Sequence, residues 1–324
     1  DASFLERTVL IKKQDPNTIV LYIPGDSKPT LDPGTKVIPD ERDTGTSLVN
    51  EGSDLAVNDG FESALAAHEA GWLEDHSIKA KFTPYVVLSG HNLRYNRKQN
   101  PVDTNGFNGE LGFVKRSYED DYIDTSMPFL EYGNGNFTIH YPTARADGGQ
   151  HYAGAGILLR RDQNNGFHYE GMVRAGRFSG DMHGIIGSRR FGYNTSSNYF
   201  AAHLGLGKVY TDDTNDYDWY GKVFYAHLGS DTVQIRTNAG TTQYQLDSVD
   251  SLRTRLGFRW TKHLDKETSS VYAGLGWDYE FKGEAKAYHG DYTNPRRQPK
   301  KAPANSWNWA GRAKTTKRTP GAWT

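Results

Sequence analysis

The feature that most constrains this chain is an alternation of apolar and polar residues, which recurs along most of its length. Near residue 256 the apolar side chains of Phe258 and Trp260 alternate with the guanidinium groups of Arg255 and Arg259. Residues 271–281, VYAGLGWDYEF, repeat the pattern, with every odd-numbered position apolar. A period of two residues is that of a β-strand. Each run has about ten residues, the length with which a tilted strand crosses a bilayer.

The same alternation predicts a β-rich domain, because it returns throughout the chain after Gly71. We predict nine strands, at residues 79–89, 105–118, 125–134, 150–161, 167–178, 198–209, 217–228, 251–261 and 271–281. The intervening connections alternate in length. Long ones are predicted at 90–104, 135–149, 179–197 and 229–250, and short ones at 119–124, 162–166, 210–216 and 262–270. Long loops on one rim and short turns on the other are typical of an outer-membrane barrel.

The two faces of these strands differ in chemistry. Ionisable residues fall on the face opposite the apolar one, where a wet lumen would let opposite charges pair, whereas an arginine in mid-bilayer lipid costs about 2–4 kcal/mol. The predicted lumen-lining residues are Glu110, Glu170, Arg174, Arg253, Arg255, Arg259, Asp278 and Glu280. The predicted lipid-facing or girdle residues are Phe167, Tyr169, Phe258, Trp260, Trp277, Tyr279 and Phe281.

The first seventy residues have a different pattern. Residues 1–46 contain one convincing strand, at 18–23, among Pro, Gly and charged residues. Residues 47–70 carry leucines and alanines at helical spacing and predict one helix or two joined ones. Gly52 and Gly60 interrupt this stretch, and each costs a helix about 1 kcal/mol relative to Ala.

Composition excludes some classes of protein. Mean hydropathy is −0.75 and no apolar run approaches the length of a transmembrane helix, which leaves a strand-built barrel open. The chain has no cysteine, so disulfides and cysteine-ligated metals do not apply. It begins at Asp1 without a Met or a signal segment, and we therefore expect it to be part of a longer precursor.

Five blocks, taken in order, resemble the C-terminal translocator domain of bacterial autotransporters, the type Va secretion proteins. They are VRAGRFSGD (173–181), SNYFAAHLGLGK (197–208), YGKVFYAHLGSD (220–231), LDSVDSLRTRLGFRW (246–260) and VYAGLGWDYEFKGEAK (271–286). The resemblance covers roughly 71–294. It implies an all-β fold: an antiparallel transmembrane β-barrel, twelve-stranded in the family with about nine strands visible here, and an N-terminal helix threaded through the pore. Residues 47–70 would be that helix, and 1–46 the end of the passenger or a junction segment.

The end of the chain departs from the family pattern. The family continues with three more strands and a terminal aromatic residue, whereas residues 295–324 have no period-two face. That tail contains eight Lys or Arg and no acid, so the overall charge of −1 divides into about −9 before it and +8 within it. We hypothesise that a frameshift after about Asn294 replaced the last strands. The alternative is a genuine basic tail that binds nucleic acid or anionic lipid.

Patterns that would indicate an active site or a cofactor are weak. Gly154-Ala-Gly156 and Gly205-Leu-Gly207 lack the strand-to-helix context of dinucleotide sites. The eleven histidines are scattered without metal-ligand spacing, and the aspartates between 212 and 218 fit no twelve-residue calcium loop. Some family members cleave their passenger within the pore at an asparagine. Asn50 or Asn58, with Glu170 or Glu280, could be such a pair, although the surrounding sequence does not match that subgroup. We predict no catalytic, cofactor or metal site and no enzyme.

The sequence therefore predicts an outer-membrane translocator and anchor that carries an N-terminal passenger to the surface of a Gram-negative cell. Its expected partners are outer-membrane lipid and its own passenger, together with the barrel-assembly machinery and periplasmic chaperones that the resemblance implies. No nucleic acid or small-molecule substrate is expected. Two alternatives stay open: a porin-like or adhesin outer-membrane barrel, and a soluble secreted β-rich binding domain.

Overall fold

A long helix runs through the computed structural model, which describes residues 3–74, 81–95, 101–264, 269–293 and 314–315. It consists of α1 (Val37–Leu55), a π-helical turn (Ala56–Gly60) and α2 (Phe61–Glu74). At ~1.5 Å per residue the whole segment is about 57 Å long. It begins ten residues earlier than the predicted 47 and ends four later than the predicted 70. Residues 37–46 were assigned to the preceding segment of Pro, Gly and charged residues, but Pro39 lies in the first turn of α1, where proline is tolerated.

The residues before the helix form two small pieces of sheet. β1 (Leu5–Glu6) pairs with β4 (Thr30–Leu31), and β2 (Leu10–Asp15) pairs with β3 (Thr18–Tyr22). A 3-10 turn at Pro33–Lys36 then leads into α1, and the Asp32 carboxylate caps it by accepting the amide of Gly34 at 2.7 Å.

Nine long antiparallel strands, which we call the wall strands, follow the helix within the described part of the chain. They are β5 (Thr83–Tyr95), β6 (Val102–Tyr118), β7 (Tyr122–Tyr141), β8 (Ala144–Gln163), β9 (Phe167–Ile186), β10 (Arg189–Thr211), β11 (Asn215–Leu228), β14 (Val249–His263) and β15 (Ser269–Lys282). Each pairs with its neighbours in this order. Across the described residues no pairing joins β15 back to β5, so the sheet is an open half-barrel. The predicted fold class, an antiparallel barrel with an N-terminal helix, is confirmed.

The predicted long loops are wrong in detail. Residues 135–149 and 179–197 are mostly strand, with two-residue turns at 142–143 and 187–188. Residues 229–250 contain a separate hairpin, β12 (Asp231–Thr237) and β13 (Gly240–Leu246). Of the predicted loop 90–104, the described residues belong mostly to β5 and β6. Strands such as β7 to β9, at 20 residues each, are about twice as long as the tilted strand that a bilayer requires.

Short strands pair at two margins of the sheet. β12 pairs with the first residues of β10, β13 pairs with β16 (Ala287–His289), and β16 pairs with β17 (Tyr292–Thr293). β18 (Lys314–Thr315) pairs with the start of β15. The rest of the basic tail, including the point of the hypothesised frameshift, lies outside the described residues. Among these residues no helix has the length and apolar character needed to cross a membrane.

The helix lies on the concave side of the sheet, and buried residues of both form the interior. Three apolar clusters follow one another along it. The cluster nearest the helix start, here called the apolar cap, packs Val37 and Ile38 against the extended strand ends, the β12–β13 hairpin and Phe4. Its members are Phe4, Val37, Ile38, Val102, Phe137, Ile139, Ala144, Ala146, Met182, Ile186, Phe191, Tyr193, Val233, Ile235, Tyr244, Leu246 and Ala287. The other two clusters surround Leu48 and Phe61, so the helix is packed along most of its length.

Candidate functional site: the pore and its helix

The helix is strongly acidic, because residues 40–74 include nine Asp or Glu and one Arg. One wall strand, β14, faces it with arginines, since strand alternation places Arg253, Arg255 and Arg259 on the same inner face. Arg253 Nη1 lies 3.1 Å from Asp54 Oδ2, and Arg255 Nη1 lies 3.4 Å from Asp54 Oδ1. These contacts join residues about two hundred positions apart and fix the helix against one side of the pore.

Further contacts extend the same arrangement in both directions along β14. Arg259 Nη1 donates to Glu62 Oε1 at 3.0 Å. Glu62 lies eight residues after Asp54, about two helical turns further along the chain. Arg253 Nη2 donates to the backbone carbonyl of Asn50 at 3.3 Å. A wall residue, Asp278, accepts Arg255 Nε at 2.6 Å and holds that side chain in place.

A neighbouring face of the helix, which carries Val49 and Ser53, meets a fully buried arginine. Arg174 donates to the carboxylate of Glu131, to the backbone carbonyl of Val49 and, at 3.1 Å, to Ser53 Oγ. Its guanidinium also lies within 6 Å of the ring centres of Tyr152 and Tyr199. Because its donors reach both the wall and the helix backbone, Arg174 joins the two directly.

A close approach at Gly52 makes this contact possible. A Cβ there would overlap the hydroxyl of Tyr152 and the guanidinium of Arg174. The sequence reading counted Gly52 only as a cost to the helix, whereas in the folded protein the missing side chain lets the backbone reach Arg174 and Tyr152.

We call the charged groups that join the helix to the wall, together with Glu131, which pairs with Arg174, the polar belt. Its members are Asp54, Glu62, Glu131, Arg174, Arg253, Arg255 and Arg259. Sequence reasoning named the four arginines but missed Asp54, Glu62 and Glu131. The sequence offered one signal for the two helix residues, the high density of Asp and Glu in residues 40–62. A solvent-exposed helix would show the same density, so this signal did not identify them.

A second buried ionic cluster belongs to the wall alone. Glu170 accepts from Lys222 at 2.7 Å, from Arg160 at 3.1 Å and contacts His203 Nε2 at 2.8 Å. Arg160 reaches the helix through its position over the ring of Phe61, 4.8 Å from the centroid. Glu170 therefore organises wall cations rather than binding the helix itself.

The other residues predicted to line the lumen also lie on the concave side. Glu110 is buried and accepts the hydroxyl of Tyr85. Glu280 Oε1 accepts from Ser251 Oγ at 2.8 Å, and Ser251 Oγ in turn accepts Asn50 Nδ2 at 3.0 Å. The structure thus links Asn50 to Glu280 through one serine. Asn58, by contrast, is exposed and donates to the carbonyl of Asp54 on its own helix.

The predicted lipid-facing residues lie on the convex side. Phe167, Tyr169, Trp277 and Phe281 are exposed, and Phe258, Trp260 and Tyr279 are partly exposed. Many other large apolar side chains share this surface, with Leu88 at 72%, Leu204 at 71% and Leu206 at 62% exposed. An exposed apolar surface of this extent is abnormal for a protein in water.

The aspartates near residue 212 do not converge on one site, because Asp212, Asp216 and Asp218 each contact a different partner. Asp212 accepts two backbone amides of its own turn, from Thr214 at 2.9 Å and Asn215 at 2.7 Å. Asp216 contacts His263, and Asp218 contacts His168. In the described part of the chain no three His, Cys, Asp or Glu residues are grouped as metal ligands would be.

The model of the autotransporter beta-domain family matches residues 129–315, more than half of the chain. The chain belongs to this family. The matched stretch contains most of the wall strands and all of the β14 arginines. An autotransporter beta-domain is an outer-membrane barrel of the type V secretion pathway, and this one is a translocator that carries a passenger domain.

The chain resembles the solved beta domain of the Bordetella autotransporter BrkA, with 18% sequence identity and a TM-score of 0.49. That similarity covers 64% of this chain and 86% of the BrkA chain. No curated protein sequence matches the chain.

Proposed function

We propose that residues 37–74 are both the plug of this translocator and the tether of its passenger. The observation that carries this proposal is the set of ion pairs between the acidic helix and the arginines of β14. A helix left in the pore after export would connect the surface-exposed passenger to the barrel and obstruct the channel. Opposite charges on helix and wall favour one seated position, because misplacing the helix would leave partly buried charges unpaired.

Single-channel recording in planar bilayers tests the plug. The variant Asp54→Asn with Glu62→Gln removes the carboxylates that the β14 arginines contact. We expect its open time and conductance to rise above those of the unchanged protein. The matched control is Asp59→Asn, a carboxylate of the same helix segment that forms no ion pair with an arginine in the described part of the wall. Equal conductance in all three proteins would contradict a plug held by these pairs.

The proposal assigns separate roles to the two faces of the wall. The convex aromatics, including Phe167, Tyr169, Trp277 and Phe281, would contact lipid. The concave charges, including Glu110, Glu170, Asp278 and Glu280, would hold the polar interior. Support comes from the exposure of the first group and from the buried or partly buried ion pairs and hydrogen bonds of the second, which together match the inverted polarity of a membrane barrel. Transport and anchoring, rather than catalysis, is the activity that these groups suit.

We infer that assembly into the membrane needs outside help. In the described residues β5 pairs with β6 alone, and β15 pairs beyond Ser270 with β14 alone, so each leaves a length of strand edge without a partner there. Unpaired backbone groups cost several kcal/mol each in hydrocarbon. Barrel-assembly machinery and periplasmic chaperones are the partners that would protect such edges. Depleting the assembly machinery should reduce the amount of heat-modifiable, folded protein in the outer membrane, and an unchanged amount would contradict the inference.

A second candidate function is release of the passenger by cleavage after Asn50, favoured by the Asn50–Ser251–Glu280 contacts. The Asn50 side-chain nitrogen would attack its own backbone carbonyl, breaking the peptide bond to Glu51 and leaving a cyclic imide. The proton lost by the side-chain nitrogen would reach the departing amine through Ser251. Mass spectrometry of the wall domain would then find Glu51 as its first residue, and Asn50→Gln would abolish that end. An intact Asn50–Glu51 bond in exported protein would reject this candidate.

A further inference from the structure

One cation on the convex face is set among aromatic rings. Lys208 of β10 lies beside Phe167 of β9 and Trp219 of β11 in the strand register. Its Nζ is 4.5 Å from the ring centroid of Phe167 and 4.9 Å from that of Tyr210. Within the described residues Lys208 forms no ion pair with a carboxylate. Its charge is therefore held by ring faces and is available to an anionic group from outside the protein.

An apolar groove adjoins this lysine on the same face. Its volume is about 1220 Å³, and it is lined by Tyr169, Leu206, Trp219, Val223, Leu256 and Trp277. Gly221 forms part of its floor, because this residue stands between Leu206 and Leu256 in the register and has no side chain. The groove is thus a recess between leucines, bordered at one end by a cation.

We propose that this groove is a specific site for an anionic phospholipid. The Lys208 ammonium would bind the headgroup phosphate, and one acyl chain would lie over Gly221 between the two leucines. The combination favours a lipid because the recess alone would take any hydrocarbon, whereas the cation adds a preference for negative charge. Lys208 lies level with the Arg259–Glu62 contact, toward the end of the helix that is farther from the N-terminal passenger, so the lipid would belong to the periplasmic leaflet.

This inference rests on the proposed contact between the convex face and lipid. A lysine at such a position could also extend along the surface to water, in which case it would discriminate little between headgroups. Two measurements distinguish a specific lipid site from a lysine that extends to water: the preference for anionic over zwitterionic headgroups, and the loss of binding when the recess is filled.

Native mass spectrometry of the folded protein in neutral detergent provides the test, with dioleoyl phosphatidylglycerol and dioleoyl phosphatidylcholine as probes. Folding of every variant is checked first by heat-modifiable mobility on gels. The unchanged protein should retain phosphatidylglycerol in preference to phosphatidylcholine. Lys208→Gln should lower the affinity for phosphatidylglycerol about tenfold, which is ~1.4 kcal/mol, and leave phosphatidylcholine unaffected.

Two matched variants sharpen the result. Lys262→Gln removes an exposed lysine on the same face of β14 and should leave both affinities unchanged. Gly221→Leu fills the recess and should weaken both lipids. Equal loss in Lys208→Gln and Lys262→Gln, or no loss in Lys208→Gln, would overturn the site while leaving the lipid-facing surface intact. Failure of the unchanged protein to retain either lipid would reject the lipid-facing assignment as well, whereas the plug is tested separately by conductance.

Discussion

The helix is held by two regions of the interior that use opposite chemistry. In the apolar cap, Val37 and Ile38 are fully buried among aliphatic and aromatic side chains. In the polar belt, the Asp54 and Glu62 carboxylates are 29% and 28% exposed and pair with arginines. The burial of hydrocarbon in the apolar cap changes little with moderate salt concentration. Ion pairs are sensitive to salt and fix the helix in one register. The apolar cap therefore stabilises the helix in the interior, and the polar belt fixes where the helix lies along its axis.

Among the polar-belt residues, Arg174 is the one whose substitution should lower the free energy of unfolding most. Arg174→Met leaves the buried Glu131 carboxylate without its cation and removes the bonds to Val49 and Ser53, so we expect a loss of about 3–5 kcal/mol in the free energy of unfolding. Urea denaturation of the refolded protein measures it. The double variant Arg174→Met with Glu131→Gln should be less destabilised than the single one. A double variant as unstable as the single would show that the charge of Glu131 is not the cause.

Ile38 tests the cap. Ile38→Ala removes a side chain that is wholly buried, and we expect the local opening of α1 to become about 3 kcal/mol easier, the middle of the usual range for such truncations. Hydrogen exchange of the α1 amides measures that opening. The loss should be the same in 50 mM and 500 mM NaCl. A loss that depends on salt would remove the distinction between the two regions.

Asp54 tests the belt by the same measurement. Asp54→Asn weakens two partly exposed ion pairs, so the expected cost is about 1–2 kcal/mol, between values for exposed and buried pairs. Here the loss should shrink in 500 mM NaCl, because salt already screens the pairs in the unchanged protein. Asp59→Asn serves as the control and should cost little at either salt concentration.

The smallest expected effect lies outside both regions, in the turn at 212–214. The backbone amides of Thr214 and Asn215 donate to Asp212 and hold the pKa of that carboxyl below its usual value. A lowered pKa in the folded state means that this contribution is present above pH ~4 and is lost as the pH falls through the folded value. NMR titration of the Asp212 carboxyl carbon should give a midpoint below ~3.9. A midpoint at or above that value would contradict the turn geometry.

Sequence reasoning predicted the wall well because each strand carries its own two-residue period. It failed where that period was interrupted, as at Gly135 and Asn136 and at Gly148 and Gly149, which were assigned to a loop but continue β7 and β8. It also placed the helix start ten residues late. Neither error changed the family or the fold class.

The polar belt could be predicted only in part. Alternation put Arg253, Arg255 and Arg259 on the inner face, because that depends on local spacing alone. Their partners Asp54 and Glu62 were beyond reach, since the contacts depend on how far the helix is inserted and how it is rotated. Gly52 was misjudged for the same reason: a glycine's cost is local, while its benefit at Tyr152 and Arg174 depends on the tertiary fold.

The most direct test of the seated helix uses crosslinking, which is clean because the chain has no cysteine of its own. Asn50 and Ser251 are in hydrogen-bond contact in the interior, so Asn50→Cys with Ser251→Cys should react with a short bis-methanethiosulfonate reagent in intact outer membranes and give a shifted band on gels. Asn50→Cys with Leu252→Cys, whose second cysteine lies on the convex face, should not. Crosslinking in the first pair alone is the result that the seated helix predicts. Absence of the crosslink in folded protein, or equal reaction in both pairs, would contradict a helix held inside the wall.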